Sequence, residues 1–235
     1  MKNLTYEDWH QDVATKLKEL KEKIDKNKES KSLYGGFYVW DGRLIMNPKI
    51  MFLGINPGNG DPNNSGQIKT DPEEEDGISY LGYMNGYPYY SNYRLAIETV
   101  ESFKMAGYST EKIKNLFEED STKSNFYYLI TKNMGDINKC INRLENYSFK
   151  KYCHQSYEWT DNLIQIINPK FIVCEGKTVF DLVTQYDEDY KEWKWENDCG
   201  YLIRPNGQVI LGYKRNFSNI TNKEEFSKLI SNFIK

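Results

Sequence analysis

Histidine is nearly missing: a chain of 235 residues holds only two, His10 and His154. They have no metal-ligand spacing, and the four cysteines (Cys140, Cys153, Cys174, Cys199) include no CxxC. Cys153-His154 stands alone as a pair, so no zinc or iron–sulfur centre is expected. The cysteines read as reduced thiols of a cytosolic protein. No apolar run approaches the roughly 20 residues of a membrane span. Met1-Lys2-Asn3-Leu4 leads into a charged segment, not into the apolar stretch of a secretion signal. The expected setting is cytoplasmic, with no membrane partner. A GxGxxG motif is also missing. The glycines that come nearest read Gly54-x-x-x-Gly58-x-Gly60 with Pro57 inside, which sets a Rossmann dinucleotide aside; no cofactor is expected. With 31 basic and 34 acidic residues the net charge is −3. That excludes a generally basic nucleic-acid coat, but leaves room for a local basic groove.

What the chain has in quantity is tyrosine: 19 residues, within an aromatic content of 15%. Two readings stay open. Tyrosines line a cleft or interface because they pair apolar area with a polar tip, or they reflect a biased composition. The length suits one substantial domain. We expect a helical N-terminal extension over residues 1–32 and a single domain over 33–235, acting as a monomer.

Thr5 to about Lys28 reads as a helix with an apolar stripe of Leu4, Trp9, Val13, Leu17, Leu20 and Ile24, capped by Thr5. Ile50 to Ile55 is a short apolar run that stops in a loop of Gly, Asn and Pro, the mark of a buried strand. The loop that follows, 56–90, is long enough to be functional or disordered; its second half carries six tyrosines between Tyr80 and Tyr93. Ser91–Ala106 and Ser109–Glu119 read as helices, Phe126–Thr131 as a second buried strand, and Cys153–Ile167 as a helix ending before Pro169. Phe171–Cys174 is a third strand, and Gly176 opens a helix to about Gln185. Tyr201–Arg204 and Gln208–Gly212 flank Asn206-Gly207, a hairpin signal. Glu224–Phe233 closes the chain as a helix. Helices interleaved with short apolar strands predict an α/β fold: three layers, α/β/α, with a mostly parallel central sheet of about four to five strands.

Three segments resemble the uracil-DNA glycosylase superfamily, together covering about residues 45 to 220. Gly54-Ile55-Asn56-Pro57-Gly58 is similar to the first-strand motif of the mismatch-specific branch. Phe126–Thr131 followed by Lys132-Asn133 falls where that family places a base-reading asparagine. Ile166-Ile167-Asn168-Pro169 through Gly176-Lys177 is similar to its helix–Pro–strand–Gly–Lys segment. The resemblance implies a uracil-DNA-glycosylase-like fold, a DNA partner and hydrolysis of the N-glycosidic bond of a flipped base. One departure stands out. Where the family carries a histidine in a His-Pro-Ser stretch, this chain reads Tyr213-Lys214-Arg215-Asn216-Phe217-Ser218, with Lys214 at the histidine position.

An N-glycosidic bond breaks through a cation-like sugar and an anionic leaving base, so the site must place a water, stabilise the base and hold it out of the stack. Asn56 suits the water; an amide orients it and takes up no proton. Asp61 is either the base that activates this water or a turn residue. Gly54, Ile55, Pro57 and Gly58 would frame the pocket. Tyr80 and Tyr83 are the tyrosines nearest in sequence for stacking on the base. Asn133 both donates and accepts and would read the base edge; Lys132 only donates, and strand alternation allows one of the two to face the pocket. Lys214 and Arg215 either meet the leaving anion or a phosphate, or form a solvent-facing basic pair. Trp193 and Trp195 fall in a charged loop, where they either wedge into a duplex or pin that loop to the core. Two alternatives to a DNA glycosylase remain: a non-catalytic nucleobase- or nucleic-acid-binding module of the same fold, and a hydrolase of free nucleosides or nucleotides.

Overall fold

The first helix, α1 (Tyr6–Lys26), begins where Thr5 accepts a hydrogen bond from the backbone of Asp8 at 3.1 Å. We describe the chain from a computed structural model, for residues 4–57, 66–73 and 77–234. Gly58 and Asp61 lie outside the described residues. After α1 come α2 (Lys28–Lys31), β1 (Phe37–Tyr38), β2 (Ile50–Gly54) and β3 (Ile68–Lys69). Then follow α3 (Ser79–Met84), a 3-10 turn (Pro88–Tyr90), α4 (Arg94–Met105), α5 (Thr110–Glu119) and β4 (Ser121–Asn125). Next are α6 (Met134–Asn142), α7 (Phe149–Ile167), β5 (Phe171–Cys174) and α8 (Lys177–Thr184). The chain ends with β6 (Glu192–Glu196), β7 (Cys199–Ile203), β8 (Val209–Tyr213), β9 (Arg215–Asn216), β10 (Asn219–Ile220) and α9 (Lys223–Phe233). These elements fall into two units: residues 1–40, 55–72 and 125–166 form one, and 41–54, 73–124 and 167–235 the other.

The first unit is built on α1. Its stripe of Trp9, Val13, Leu17, Leu20 and Ile24 is buried, whereas Leu4, expected to belong to it, is exposed. Trp9 donates its indole N–H to the carbonyl of Trp159 at 2.9 Å. The segment 126–131 also lies here, and it is not the strand expected from its apolar letters. It makes one antiparallel bridge, Leu129 to Phe37. Its aromatics are drawn into helix packing: Tyr127 stacks on Tyr152 and Tyr128 on Trp159, at 5.5 and 5.8 Å between ring centres.

The second unit holds the sheet. Six strands, rather than four or five, run in the order β4-β2-β5-β8-β7-β6. β2, β5 and β8 are parallel; β7 is antiparallel to both β8 and β6. The antiparallel side is the hairpin at Asn206-Gly207, where Gly207 takes φ +89°, plus β6, which carries Trp193 and Trp195 on a strand rather than in a loop. Side chains on one face of the sheet, among them Ile50, Phe52, Val173 and Leu211, pack against α3, α4, α5 and α9. On the other face α8 approaches so closely that a Cβ on Gly212 would meet Phe180 at 2.5 Å. The fold is α/β, with helices on both faces of the sheet.

The second core strand lies five residues earlier than its apolar letters suggest. β4 reads Ser-Thr-Lys-Ser-Asn and all five residues are buried. Its polar groups are satisfied from within: Ser121 donates to the Leu116 carbonyl at 2.8 Å and Thr122 to that of Arg43 at 3.1 Å. A buried polar strand stands only where each group is paired, and the pairing of Lys123 builds the site described next.

Candidate functional site

The order of the strands defines a switch point. The chain leaves β2, adds β4 on one side of it, then returns to add β5 on the other. In open α/β sheets such a point, at the carboxyl ends of the strands, is where ligands sit. Leu53 stands opposite Cys174, so Gly54 and Glu175 mark the adjacent ends of β2 and β5.

Glu175 is 3% exposed. It accepts a short hydrogen bond from the hydroxyl of Tyr80 and faces the Lys123 ammonium at 3.5 Å. Lys123, itself 3% exposed, also pairs with Asp41 at 3.0 Å and donates to the Tyr93 hydroxyl at 3.0 Å. Its Nζ stands 4.1 Å from the centre of the Tyr80 ring. Burial opposes the charge of Lys123, but Asp41 and Glu175 outweigh it and hold the ammonium well above the ordinary lysine value. Burial, reinforced by the charge of Glu175, pushes the Tyr80 hydroxyl well up. Asp41 in turn caps α3, accepting from the backbone and hydroxyl of Ser79 at 2.9 and 2.7 Å. At the end of β8, Tyr213 is 1% exposed, and its hydroxyl oxygen has no hydrogen-bond partner. Burial drives it upward in pKa, as does the charge of Glu175.

Lys214 does not join this group. It is 55% exposed at the side chain and pairs with Asp198 at 3.2 Å. Arg215 does come to the strand ends, its Nε 3.4 Å from where a Cβ of Gly176 would stand; Gly176 itself takes φ +136°. Beyond Arg215 a two-residue turn joins β9 to β10. At its tip Phe217 is 90% exposed and left-handed at φ +54°.

Tyr80 lies in the same cluster as a hydrogen-bond donor. With no exposed surface, its ring, edge-on to Phe52 at 5.3 Å, offers a base nothing to stack on. Tyr83 is half-buried and packs against the core.

The remaining sequence-derived residues belong to the first unit. Asn56 is half-buried; its amide N–H₂ faces two carbonyls, those of Pro57 at 3.0 Å and Thr131 at 3.4 Å. Two acceptors on one side fix the amide so that its oxygen points away, and among the described residues nothing donates to that oxygen. The Ile55 carbonyl accepts from the backbone of Tyr127 at 2.9 Å, which ties the exit of β2 to the exit of β4, where Asn125 is buried. Asn133, the expected base reader, has another occupation. It is the N-cap of α6, accepting from the Asp136 backbone at 3.1 Å and donating to its carboxylate at 2.9 Å. The polar residue that ends the second core strand is Asn125.

Among the described residues no three His, Cys, Asp or Glu side chains gather as a metal site, and no helix is long and apolar enough to cross a membrane. Comparison with profiles of protein families finds no match, and comparison with curated proteins finds none.

Sequence reasoning missed Lys123, Asp41, Glu175, Tyr93, Tyr213 and Phe217. Glu175 was within reach, since the strand-end rule that singled out Asn56 after β2 applies equally to the residue after β5. Lys123 gave no signal, because a lysine amid serines reads as surface.

Proposed function

We propose that the chain is a glycosylase-like hydrolase with a uracil-DNA-glycosylase-type three-layer fold, and that it cleaves the N-glycosidic bond of a uracil-like, mismatched or modified base in DNA. Asn56 carries the reading: its amide nitrogen is held by two carbonyls, and its oxygen, to which nothing among the described residues donates, is proposed to orient a water. Orientation of the nucleophile is the part of the barrier that a neutral amide can lower. The buried Asn125 at the end of β4 replaces Asn133 as the residue proposed to read the base edge, because its amide offers a donor and an acceptor at a strand terminus. Phe217 and Arg215 support a DNA partner, an exposed aromatic beside a cation being the pairing that grips an unstacked strand.

The reaction is tested with labelled oligonucleotides carrying uracil, thymine or hypoxanthine mismatches, or modified cytosines, followed by alkaline cleavage at abasic sites. Wild type should generate an abasic product from at least one of them, and Asn56→Ala should lose it. No product from any substrate, with wild type equal to Asn56→Ala, overturns the reading.

A second reading has its own observation. Lys214, at the position of the family's histidine, is spent on Asp198, which suits a module that binds a nucleobase without turning it over. Salt-sensitive oligonucleotide binding with no abasic product would decide for it.

A further inference from the structure

We propose that β6, the open edge of the sheet, pairs with β6 of a second copy of this chain, antiparallel and centred on Trp193. The proposal is independent of the glycosidic reading. The six-stranded sheet has two edges, β4 and β6. All five residues of β4 are buried, whereas four of the five in β6 are exposed. The backbone of β6 is turned so that it can bond outward. At the two ends of β7, the Arg204 N–H donates to the Gln208 carbonyl at 2.9 Å and the Lys214 N–H to that of Asp198 at 2.6 Å. The even-numbered residues of β7 therefore bond β8, and the odd-numbered ones, Tyr201 among them, bond β6. Tyr201 stands opposite Lys194. Lys194 thus directs its backbone to β7, while Trp193 and Trp195 direct theirs away from the sheet.

The letters of the strand select the occupant. Glu192-Trp193-Lys194-Trp195-Glu196 reads the same from either end. Where identical strands meet about a two-fold axis, residue i contacts j and j contacts i. Three registers set outward-facing residues opposite one another and overlap by three residues of β6 or more. Centred on Lys194, the pairing sets lysine against lysine and, twice, Glu192 against Glu196, so that every charged pair repels. Centred on Trp195, it sets Trp193 opposite Asn197, which is left-handed at φ +50° in the turn to β7. Centred on Trp193, it sets each Glu192 opposite the Lys194 of the other copy, and the two Trp193 residues exchange both backbone bonds. Opposite charges directly across a strand pair attract. This register also covers Trp193, 50% exposed, with its own counterpart. The two rings then extend the face on which Trp195 packs against Phe180 at 5.0 Å between ring centres. A lysine in the middle of an edge strand ordinarily guards against pairing. Here the guard is Lys194, and the Glu192 of the second copy neutralises it. In the single copy Lys194 pairs with the exposed Glu196 at 3.0 Å and Glu192 accepts from the Tyr201 hydroxyl; an ion pair so exposed is weak and yields to another partner.

The test is sedimentation velocity of the full chain from about 10 µM to about 1 mM, on wild type, Lys194→Glu, Glu192→Lys, and an equimolar mixture of the two variants. Both substitutions fall at exposed positions, and a melt of each variant checks that it is folded. The contact is small, so the wild type should dimerise weakly, with a dissociation constant of about 10–500 µM. Either reversal turns both attractive pairs into like-charge pairs and should raise that constant about tenfold or more. In the mixture each variant supplies the charge that the other lacks. The heterodimer should then form with a constant within about threefold of the wild type's, a recovery that a fold damaged by substitution would not give. A wild type that stays monomeric at about 1 mM, a dimer that either reversal leaves intact, or variants that stay apart when mixed overturns the proposal.

Discussion

Lys123 and Glu175 meet at 3.5 Å although their strands are not neighbours: β2 lies between β4 and β5. The ion pair bridges the end of the central strand, and the Tyr80 hydroxyl closes it from the side of α3. Strands that share a sheet are held by backbone bonds. Here two strands are joined over the top of a third by side-chain charge, at the end of the sheet where α/β folds place ligands.

Taking away the cation alone should therefore be expensive. Lys123→Met leaves the buried Glu175 and the half-buried Asp41 without their shared partner, and loss of one member of a buried pair costs about 3–5 kcal/mol. Urea unfolding should show this as a lower midpoint at unchanged slope. A loss under about 1 kcal/mol would mean that the two carboxylates find water or protons in its place.

Alkali should unfold the protein by several routes acting in one direction. Burial pushes the Cys140 thiol up to about 11 and the Cys199 thiol to about 12, from 9.0. Burial likewise pushes the Tyr6 and Tyr147 hydroxyls up to about 12, from 10.0. Lys123 is held above 10.5 because, although burial opposes its charge, its carboxylate partners outweigh that. Each group keeps its proton more tightly folded than unfolded. Their contribution is complete below the unfolded values and is lost as pH rises through the folded ones. Melting temperature should fall from about pH 9 upward and steeply between about 10 and 12. A flat profile to pH 12 would contradict the burial of these groups.

Asn133 tells how far letters alone go. A polar amide after an apolar run reads as the end of a strand, yet the same residue three positions before Asp136 is also a helix cap, and the fold uses it so. Ser109, Thr5 and the Asn206-Gly207 turn were legible because their roles depend on neighbours in sequence. β5 was legible because all four of its residues are apolar. β4 was not, since what buries its lysine comes from Asp41 and Glu175, 82 residues before it and 52 after it. Asn133→Ala should cost about 1 kcal/mol of stability and leave base release unchanged, whereas Asn56→Ala should do the reverse. A melt and an abasic-site assay on both variants separate the two amides; loss of base release in Asn133→Ala would restore the reading of this residue as a base reader.

Phe217 is held in a conformation that its own chemistry disfavours. It is left-handed at φ +54° and 90% exposed, so the strain of a bulky residue there is not offset by packing. Phe217→Gly should raise stability by about 0.5–1 kcal/mol. The same change should weaken binding of a single-stranded oligonucleotide by about 1–3 kcal/mol, the contribution of one base stacked on an aromatic ring. Fluorescence anisotropy at fixed salt measures the second effect. Unchanged affinity would show that the ring does not meet the strand.

Lys214 and Arg215 are neighbours in sequence and opposites in circumstance. The Lys214 ammonium is paired with Asp198 at the surface, and such exposed pairs contribute about 0–1 kcal/mol. Arg215 rests against Gly176, and among the described residues no carboxylate pairs with it. A cation already neutralised has little field to offer a phosphate or a leaving anion, whereas one without a counterion releases salt when DNA arrives. Arg215→Ala should thus weaken oligonucleotide binding and reduce its salt slope by about one, while Lys214→Ala should leave both nearly unchanged. Were Lys214→Ala the more damaging of the two, the pair with Asp198 would have to open on binding, and the histidine position would regain the role that the resemblance assigns to it.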